Sequence, residues 1–347
     1  MKIVMDEKIP YLAALLEGMG CEVVAKAGGE ISAADVKDTE ALFVRTRTCC
    51  NAALLEGSNV RFIGTATIGY DHIDAAYCRE KGIYWTSAPA CNAGGVLQYV
   101  QSAVYLWCRR RGCSLRGLTL GVIGVGAIGS RVASWAREVG MRVLLNDPPR
   151  EAAGEMGFVS LERIAAESDI VTFHPTLTRG GDFPSYHLAG VAFFDLLQRT
   201  PLFINASRGP VVDNMALLSA YKNGKVADVV IDVWENEPDI NLELLDVSFI
   251  ATPHIAGYSA EGKLNATNIV LKKFADFVGY GGGLPLATLP APAKAIITAA
   301  NEGDALLEIY NPMNDTELLK EKPSIFEELR NNYNFRREPI AYKIEIL

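Results

Sequence analysis

Gly121-Val-Ile-Gly-Val-Gly-Ala-Ile-Gly129 decides the reading of this chain. The apolar run Leu118–Ile123 is long enough for one buried strand of a parallel sheet, and Ala127 to Val139 reads as the helix after it. Gly124, Gly126 and Gly129 stand between them at G-x-G-x-x-G spacing. The first glycine permits a tight turn, the second lets a pyrophosphate approach the backbone, and the third lets helix pack on strand. The helix N-terminus adds unpaired N–H groups and a positive dipole end. A second apolar run, Arg142–Asn146, ends in Asp147, about 20 residues on, where a ribose-binding acid belongs. The stretch therefore predicts a dinucleotide site that takes NAD.

On both sides of this stretch, strand-like apolar runs alternate with helical patterns. Upstream, strands are expected at Lys2–Met5, Glu22–Ala25, Ala41–Val44, Arg61–Gly64 and Ile83–Thr86, and Ala93–Arg109 reads as a long helix. Downstream, strands are expected at Asp169–Phe173, Leu202–Asn205, Val229–Val233 and Phe249–Ala251, then a long helix over Ala260–Val278. Such alternation implies an α/β protein with two Rossmann- or flavodoxin-like, doubly wound parallel-sheet domains. Gly279-Tyr-Gly-Gly-Gly283 suits a boundary. Beyond it the pattern is less regular, and the charged, aromatic stretch Phe326–Glu338 reads equally as a solvated helix or a tail.

Composition narrows the function. With 347 residues, 49% apolar and 21% charged, the chain suits two folded domains and an appendage. A net charge of −8 argues against a nucleic-acid partner. No apolar run has transmembrane or signal-peptide character, so no membrane association is expected. The seven cysteines form no C-x-x-C pair, which suits a reducing cytoplasm and neither a bridge framework nor a metal site.

Ligands of an open α/β sheet bind outside the carboxyl ends of its strands. After Leu202–Asn205 comes Ala206-Ser-Arg208, after Val229–Val233 comes Trp234-Glu-Asn-Glu237, and after Phe249–Ala251 comes Thr252-Pro-His254-Ile-Ala-Gly257-Tyr258. Arg208 offers a planar fork for a carboxylate. His254 suits removal of a hydroxyl proton as hydride leaves, and Glu237 suits the other ring N–H, fixing the tautomer. Taken singly, each has a plainer reading: a loop ion pair, a surface carboxylate, a satisfied core histidine. Their joint occurrence at three successive strand ends favours the catalytic one. His72, His174 and His187 lack comparable partners and read as structural.

The Arg–Glu–His set, with Gly124-Val-Gly-Ala-Ile-Gly129 and Ser207-Arg-Gly-Pro-Val-Val-Asp213, resembles the D-2-hydroxyacid dehydrogenase family. The likeness extends to Gly64-Thr-Ala-Thr67, Cys91-Asn-Ala93, Asp147-Pro-Pro-Arg150, Asp232-Val-Trp-Glu235 and Leu289-Pro-Ala-Pro292. It implies an NAD-dependent oxidation of a small phosphorylated 2-hydroxy acid, with Arg208, Glu237 and His254 catalytic. It implies cofactor contacts from Gly124, Gly126, Ala127, Ile128, Asp147, Thr176, Ala206, Ser207, Arg208, Asp232 and Gly257. Thr176 stands in a His174-Pro-Thr order where His-Thr-Pro is expected. Substrate contacts would come from Arg45, Thr46, Thr67 and Tyr258, with Arg45 or Arg47 supplying charge for a distal phosphate.

The resemblance also implies a division of the chain. Residues 1–92 and 258–282 would form the substrate-binding domain and 93–257 the NAD-binding Rossmann domain. Residues 283–347 would form a small C-terminal α+β dimerisation domain. That segment is too short and irregular to bury a core alone, so Phe326, Leu329, Tyr333 and Phe335 are expected to cover a second copy in a homodimer, the plainer alternative being a terminal helix folded onto its own chain. Two alternatives share the triad. One is a family dehydrogenase acting on glyoxylate, hydroxypyruvate or 3-phosphoglycerate. The other is an NAD-sensing regulatory protein of the same fold, against which the absence of disordered interaction tails weighs.

Overall fold

The computed structural model describes all 347 residues. The chain divides into two compact units, Met1–Asn92 with Ser259–Pro292 and Ala93–Tyr258 with Ala293–Leu347. In the first, β1 (Lys2–Asp6), β2 (Glu22–Lys26), β3 (Ala41–Val44), β4 (Phe62–Thr65) and β5 (Tyr84–Thr86) make a parallel sheet of order β2-β1-β3-β4-β5. β3 and β4 are buried along their whole length, as strands covered on both faces must be. The helix Ala260–Val278 covers one face, with the Phe274 ring meeting Phe43 and Phe62 edge-on at 5.4 and 5.2 Å. Ser259 caps the start of that helix, and Gly279, at φ +65°, ends it.

The second unit holds β6 (Thr119–Ile123), β7 (Arg142–Asn146), β8 (Ile170–Phe173), β9 (Leu202–Asn205), β10 (Asp228–Ile231) and β11 (Ile250–Ala251). All pair in parallel in the order β11-β10-β9-β8-β6-β7. The strand order reverses at β6, so the crevice between the ends of β6 and β8 is the switch point where such sheets take ligands. β10 stops at Ile231, short of the expected Val233, which frees Asp232 for the loop.

Residues 283–347, expected as a domain apart, divide: 283–292 cluster with the first unit and 293–347 with this second one. They add the helices Glu302–Ile309, Met313–Glu321 and Phe326–Asn331, and a two-stranded parallel sheet of β12 (Ile296–Ala299) and β13 (Lys343–Ile346). Phe326–Glu338 is neither a solvated helix nor a tail. Phe326 is 1% exposed and joins Leu319, Phe173 and Phe203 in one core. Arg336 is buried: it donates to Ile255 O, Tyr258 O and Gly95 O at 3.0–3.1 Å and to Gln98 Oε1 at 3.0 Å. Its guanidinium also lies 4.0 Å over the Tyr310 ring. Leu329 packs against the Phe326 core, and Tyr333 and Phe335 pack edge-on to Tyr258. Phe326, Leu329 and Tyr333, expected to cover a second copy, pack within their own chain, whereas Phe335 is 42% exposed. No helix is long and apolar enough to cross a membrane.

Replacing Arg336 would strand several buried carbonyls at once. Arg336→Met is expected to lower the stability of the second unit by about 2–4 kcal/mol, since each orphaned buried acceptor costs about 1–3 kcal/mol before water or relaxation compensates. The urea midpoint of the variant, at unchanged m-value, measures this.

Candidate active site

β6 ends at Ile123, which is in register with Asn146 of β7 and Phe173 of β8. The chain then turns through Gly124 at φ +82°, where a Cβ would lie 2.4–2.6 Å from backbone atoms of His174 and Pro175. Only glycine lets the turn sit that close to the loop after β8. The helix Ala127–Glu138 starts at Gly126 without a side-chain cap, and a Cβ on Gly126 would meet no atom within 4 Å. Ala127 and Ile128 begin its first turn, whose N–H groups suit a phosphate.

Asp147 is fixed beside this turn. Its Oδ2 accepts the Val125 N–H at 2.7 Å and its Oδ1 the Arg150 N–H at 3.2 Å. The Arg150 guanidinium bonds Glu155 and Val125 O, so its charge is paired. Across the switch point, His174 is buried, with Nε2 2.9 Å from Thr172 Oγ1 and Nδ1 left without a partner. Burial pushes its imidazole down to about 3, which keeps it neutral. Thr176 follows, and its carbonyl accepts from Ser185 Oγ at 2.6 Å. An open cradle, a fixed carboxylate and an orphaned buried nitrogen around one crevice fit NAD.

Asn205, Ile231 and Ala251 lie in register at the ends of β9, β10 and β11. The loops that follow carry Arg208, Glu237 and His254. Gly209 joins the first two loops, for a Cβ there would lie 1.8 Å from Trp234 O. Ser207 turns to Asn205, both its N–H and its hydroxyl reaching Oδ1, while Ala206 is buried. Arg208 Nη1 donates to Ser207 O at 2.8 Å.

Glu237 and His254 form one unit. Glu237 Oε1 accepts the Trp234 N–H at 2.8 Å, and Oε2 lies 2.7 Å from His254 Nδ1. Burial acts to raise the Glu237 pKa. The bond and charge of His254, the Trp234 N–H and the Arg330 guanidinium outweigh it and hold the carboxyl below its ordinary value. A carboxylate at Nδ1 places the ring proton there and leaves Nε2 as the acceptor. His254 itself has φ +58°, a left-handed conformation that a non-glycine residue adopts only under constraint.

Asp232 supplies that constraint. Its Oδ1 accepts from Thr252 Oγ1 at 2.7 Å and from the N–H groups of Ile255 and Ala256 at 2.7 and 3.0 Å. The resemblance assigns this residue to the cofactor, whereas the hydrogen bonds engage its Oδ1 in the histidine loop. Gly257 and Tyr258 end the loop, with the Tyr258 N–H on Ile255 O at 2.8 Å. Arg330, which nothing local in the sequence marks, reaches the same place. Its Nη1 lies 3.9 Å from Glu237 Oε2, and its Nε donates to Tyr258 Oη at 3.4 Å.

In the first unit, Arg45 and Thr46 follow β3. Arg45 Nε and Nη2 lie 3.0 and 3.5 Å from the carboxylate of Asp6, which is fully buried, so this arginine is the counter-ion of a buried acid. Thr46 is exposed in the turn. Thr67 Oγ1 lies 2.7 Å from Thr65 Oγ1 and donates to Gly69 O at 2.8 Å. His72 Nε2 meets Thr65 Oγ1 at 2.8 Å, and His187 Nε2 meets Glu235 at 2.7 Å. Both histidines are satisfied within their own units.

The sequence model of the family described as D-isomer specific 2-hydroxyacid dehydrogenase, NAD binding domain, matches residues 96–256. That range holds the glycine turn, Asp147 and the three loops with Arg208, Glu237 and His254. A curated protein of Bacteroides thetaiotaomicron named erythronate-4-phosphate dehydrogenase is 50% identical over 345 residues, 99% of each chain. The chain belongs to the D-isomer specific 2-hydroxyacid dehydrogenases, in the branch of that relative. A protein of the same name from Proteus mirabilis is 43% identical over 97% of this chain and 93% of its own length.

Solved members of the family agree in fold. A D-lactate dehydrogenase from Aquifex aeolicus, complexed with NAD and lactic acid, is 27% identical with TM-score 0.64, covering 80% of this chain and 96% of that one. A cofactor-bound 3-phosphoglycerate dehydrogenase from Entamoeba histolytica, 24% identical, superposes with TM-score 0.67 over 84% of this chain and 99% of its own. The protein is an NAD-dependent dehydrogenase, and its second unit carries the NAD-binding domain of the family.

The fixed position of Asp147 gives a test of cofactor choice. A carboxylate there bonds ribose hydroxyls and repels a 2′-phosphate. Asp147→Ala is expected to raise the NADP-to-NAD ratio of kcat/KM by roughly tenfold, the worth of one charge-assisted hydrogen bond. Steady-state kinetics with both cofactors reads the ratio directly.

Proposed function

We propose that this enzyme oxidises C2 of 4-phospho-D-erythronate to 3-hydroxy-2-oxo-4-phosphobutanoate, a step in pyridoxal 5′-phosphate (vitamin B6) synthesis. The observation that carries the chemistry is the 2.7 Å contact between Glu237 Oε2 and His254 Nδ1, on loops adjoining that of Arg208. Arg208 holds the C1 carboxylate through its planar fork, which fixes C2 beside it. His254 Nε2 takes the proton of the C2 hydroxyl. Glu237 stabilises the imidazolium that results and holds the ring in position. NAD, when bound, accepts the C2 hydride, and the glycine turn with Asp147 holds it.

Substrate selection falls to Thr46, Thr67 and Tyr258, whose hydroxyls suit a small polyol acid. The Arg45 charge is already balanced by Asp6, so its part in phosphate binding is that of a hydrogen-bond donor. The near full-length likeness to erythronate-4-phosphate dehydrogenases supports this substrate over a three-carbon acid. The seven free thiols suit a reducing cytoplasm.

Three measurements test the reading. 4-Phosphoerythronate is expected to exceed erythronate, D-glycerate and 3-phosphoglycerate in kcat/KM, because the unphosphorylated acid forgoes charge-assisted hydrogen bonds that the phosphate accepts. His254→Ala is expected to lose about 10²–10⁴-fold in kcat, and Arg208→Lys to lose turnover despite its retained charge. Preference for 3-phosphoglycerate would replace the substrate assignment. Binding of NAD without turnover of any acid would replace the catalytic one.

We also propose a homodimer. β12 and β13 form a parallel two-stranded sheet on which Ile296, Ile346 and Leu347 are exposed, and nearby Ile340 is 85% exposed. Parallel sheets are ordinarily covered on both faces, and a second copy across a twofold axis is the simplest cover. Sedimentation velocity at micromolar concentration is expected to give a dimer, with Ile346→Glu shifting it toward monomer. A monomeric native protein would overturn the proposal.

A further inference from the structure

The helix Phe326–Asn331 brings a cation to the acid–base pair. Arg330 projects from it with its side chain only 23% exposed, and Nη1 lies 3.9 Å from Glu237 Oε2, the same oxygen that lies 2.7 Å from His254 Nδ1. Its Nε donates to Tyr258 Oη at 3.4 Å, and its other ionic neighbour is Glu327 at 3.6 Å. None of these is a close bidentate pair of the kind that fully engages a guanidinium. Phe326, four residues earlier, is anchored in the core, and Arg336, six residues later, clamps the carbonyls of the histidine loop. The helix is thereby anchored in the core at its start, and the chain beyond its end is tied to the histidine loop.

We propose that Arg330 is a positioning residue of the dehydrogenase site, through which the C-terminal segment fixes Glu237 and Tyr258 and limits how tightly the Glu237–His254 pair retains a proton. The inference rests on the acid–base role given above to that pair. Its physical basis is the sharing of one carboxylate oxygen. A cation beside Glu237 Oε2 draws part of the field that the carboxylate would otherwise direct wholly at the imidazole, and it opposes a second positive charge on the ring. The charged and titratable groups near the pair come from several elements, and Arg208 stands on the loop that adjoins that of Glu237. Glu237 lies at Nδ1, and Asp232 lies beneath the loop. From the C-terminal segment come Arg330, Glu327 and Arg336, and Tyr258 ends the loop itself. Asp232 and Arg336 are fixed by the loop backbone, so Arg330 is the group whose charge can be removed with least rearrangement.

The direction of the effect follows. Oxidation needs neutral His254, so kcat/KM rises with pH through the titration of the ring. Removing the Arg330 charge lets Glu237 hold the ring proton more strongly and moves that limb to higher pH. In Arg330→Gln the limb is expected to move to higher pH, with kcat/KM lowered along that limb and unchanged on its plateau. Arg330→Lys is expected to restore the limb but not KM, because the ammonium keeps the charge and loses the Nε–H that donates to Tyr258 Oη.

Proton NMR of the substrate-free protein gives an independent reading. The chain has four histidines, so the His254 signal is assignable by its loss in His254→Ala. Its titration midpoint is expected to move upward in Arg330→Gln and to return in Arg330→Lys. A shifted midpoint without turnover of 4-phosphoerythronate would uphold this inference while removing the substrate assignment. An unmoved midpoint and pH profile in a folded Arg330→Gln, with only thermal stability lowered, would overturn it.

Discussion

Buried charge holds the loop from Thr252 to Tyr258 on two sides. One oxygen of Asp232, 2% exposed, accepts from the Thr252 hydroxyl and from the N–H groups of Ile255 and Ala256. The Arg336 guanidinium donates to the carbonyls of Ile255, Ala256 and Tyr258. An ion taken out of water is costly unless its bonding capacity is met, and here the backbone of one loop meets much of it for both, with the Thr252 hydroxyl, Gly95 O and Gln98 Oε1 adding to it. His254 lies within that span at φ +58°. A conformation that costs about 1–2 kcal/mol on its own persists because the groups around it leave no alternative.

The same logic sets two strand-end histidines apart. His174 is enclosed at the end of β8 with only a threonine hydroxyl on Nε2, so burial keeps it neutral and its Nδ1 stands ready for a polar partner at the switch point. His254 has a carboxylate on Nδ1 and a side chain 26% exposed. One imidazole is a fixed dipole beside the dinucleotide crevice. The other is furnished with the partner that a proton carrier needs. Glu237 makes the difference, and its own charge is maintained against burial by Trp234 N–H, His254 and Arg330.

Close backbone approach is the second constraint. Gly124 brings the β6 turn against His174 and Pro175, and Gly209 brings the Arg208 loop against Trp234. A side chain at either place would separate two strand ends whose groups must act together. The glycines therefore matter for what they allow their neighbours to touch, and the backbone of the Arg208 loop meets that of the Glu237 loop at Trp234 because of the second.

Much of this was set by local sequence. Strand and helix spans follow from runs of buried apolar residues and from their capping residues, which is why β3, β7, β9 and the helix Ala260–Val278 fall where their patterns place them. The dinucleotide turn is equally local, since its glycines and Asp147 lie within one strand–helix–strand unit. The placement of Arg208, Glu237 and His254 on the loops after three neighbouring strands was legible because a parallel sheet aligns its strand ends. The rest was decided only in three dimensions. Arg45 belongs to buried Asp6, Asp232 to the amides of the histidine loop, and Arg336 to carbonyls some eighty residues earlier. Backbone acceptors leave no trace in side-chain pattern, and a charged residue shows its partner only once folding has brought the two together. For that reason Phe326–Glu338, so polar in sequence, could be recognised as part of the core and as a neighbour of Glu237 and the histidine loop only from the tertiary structure.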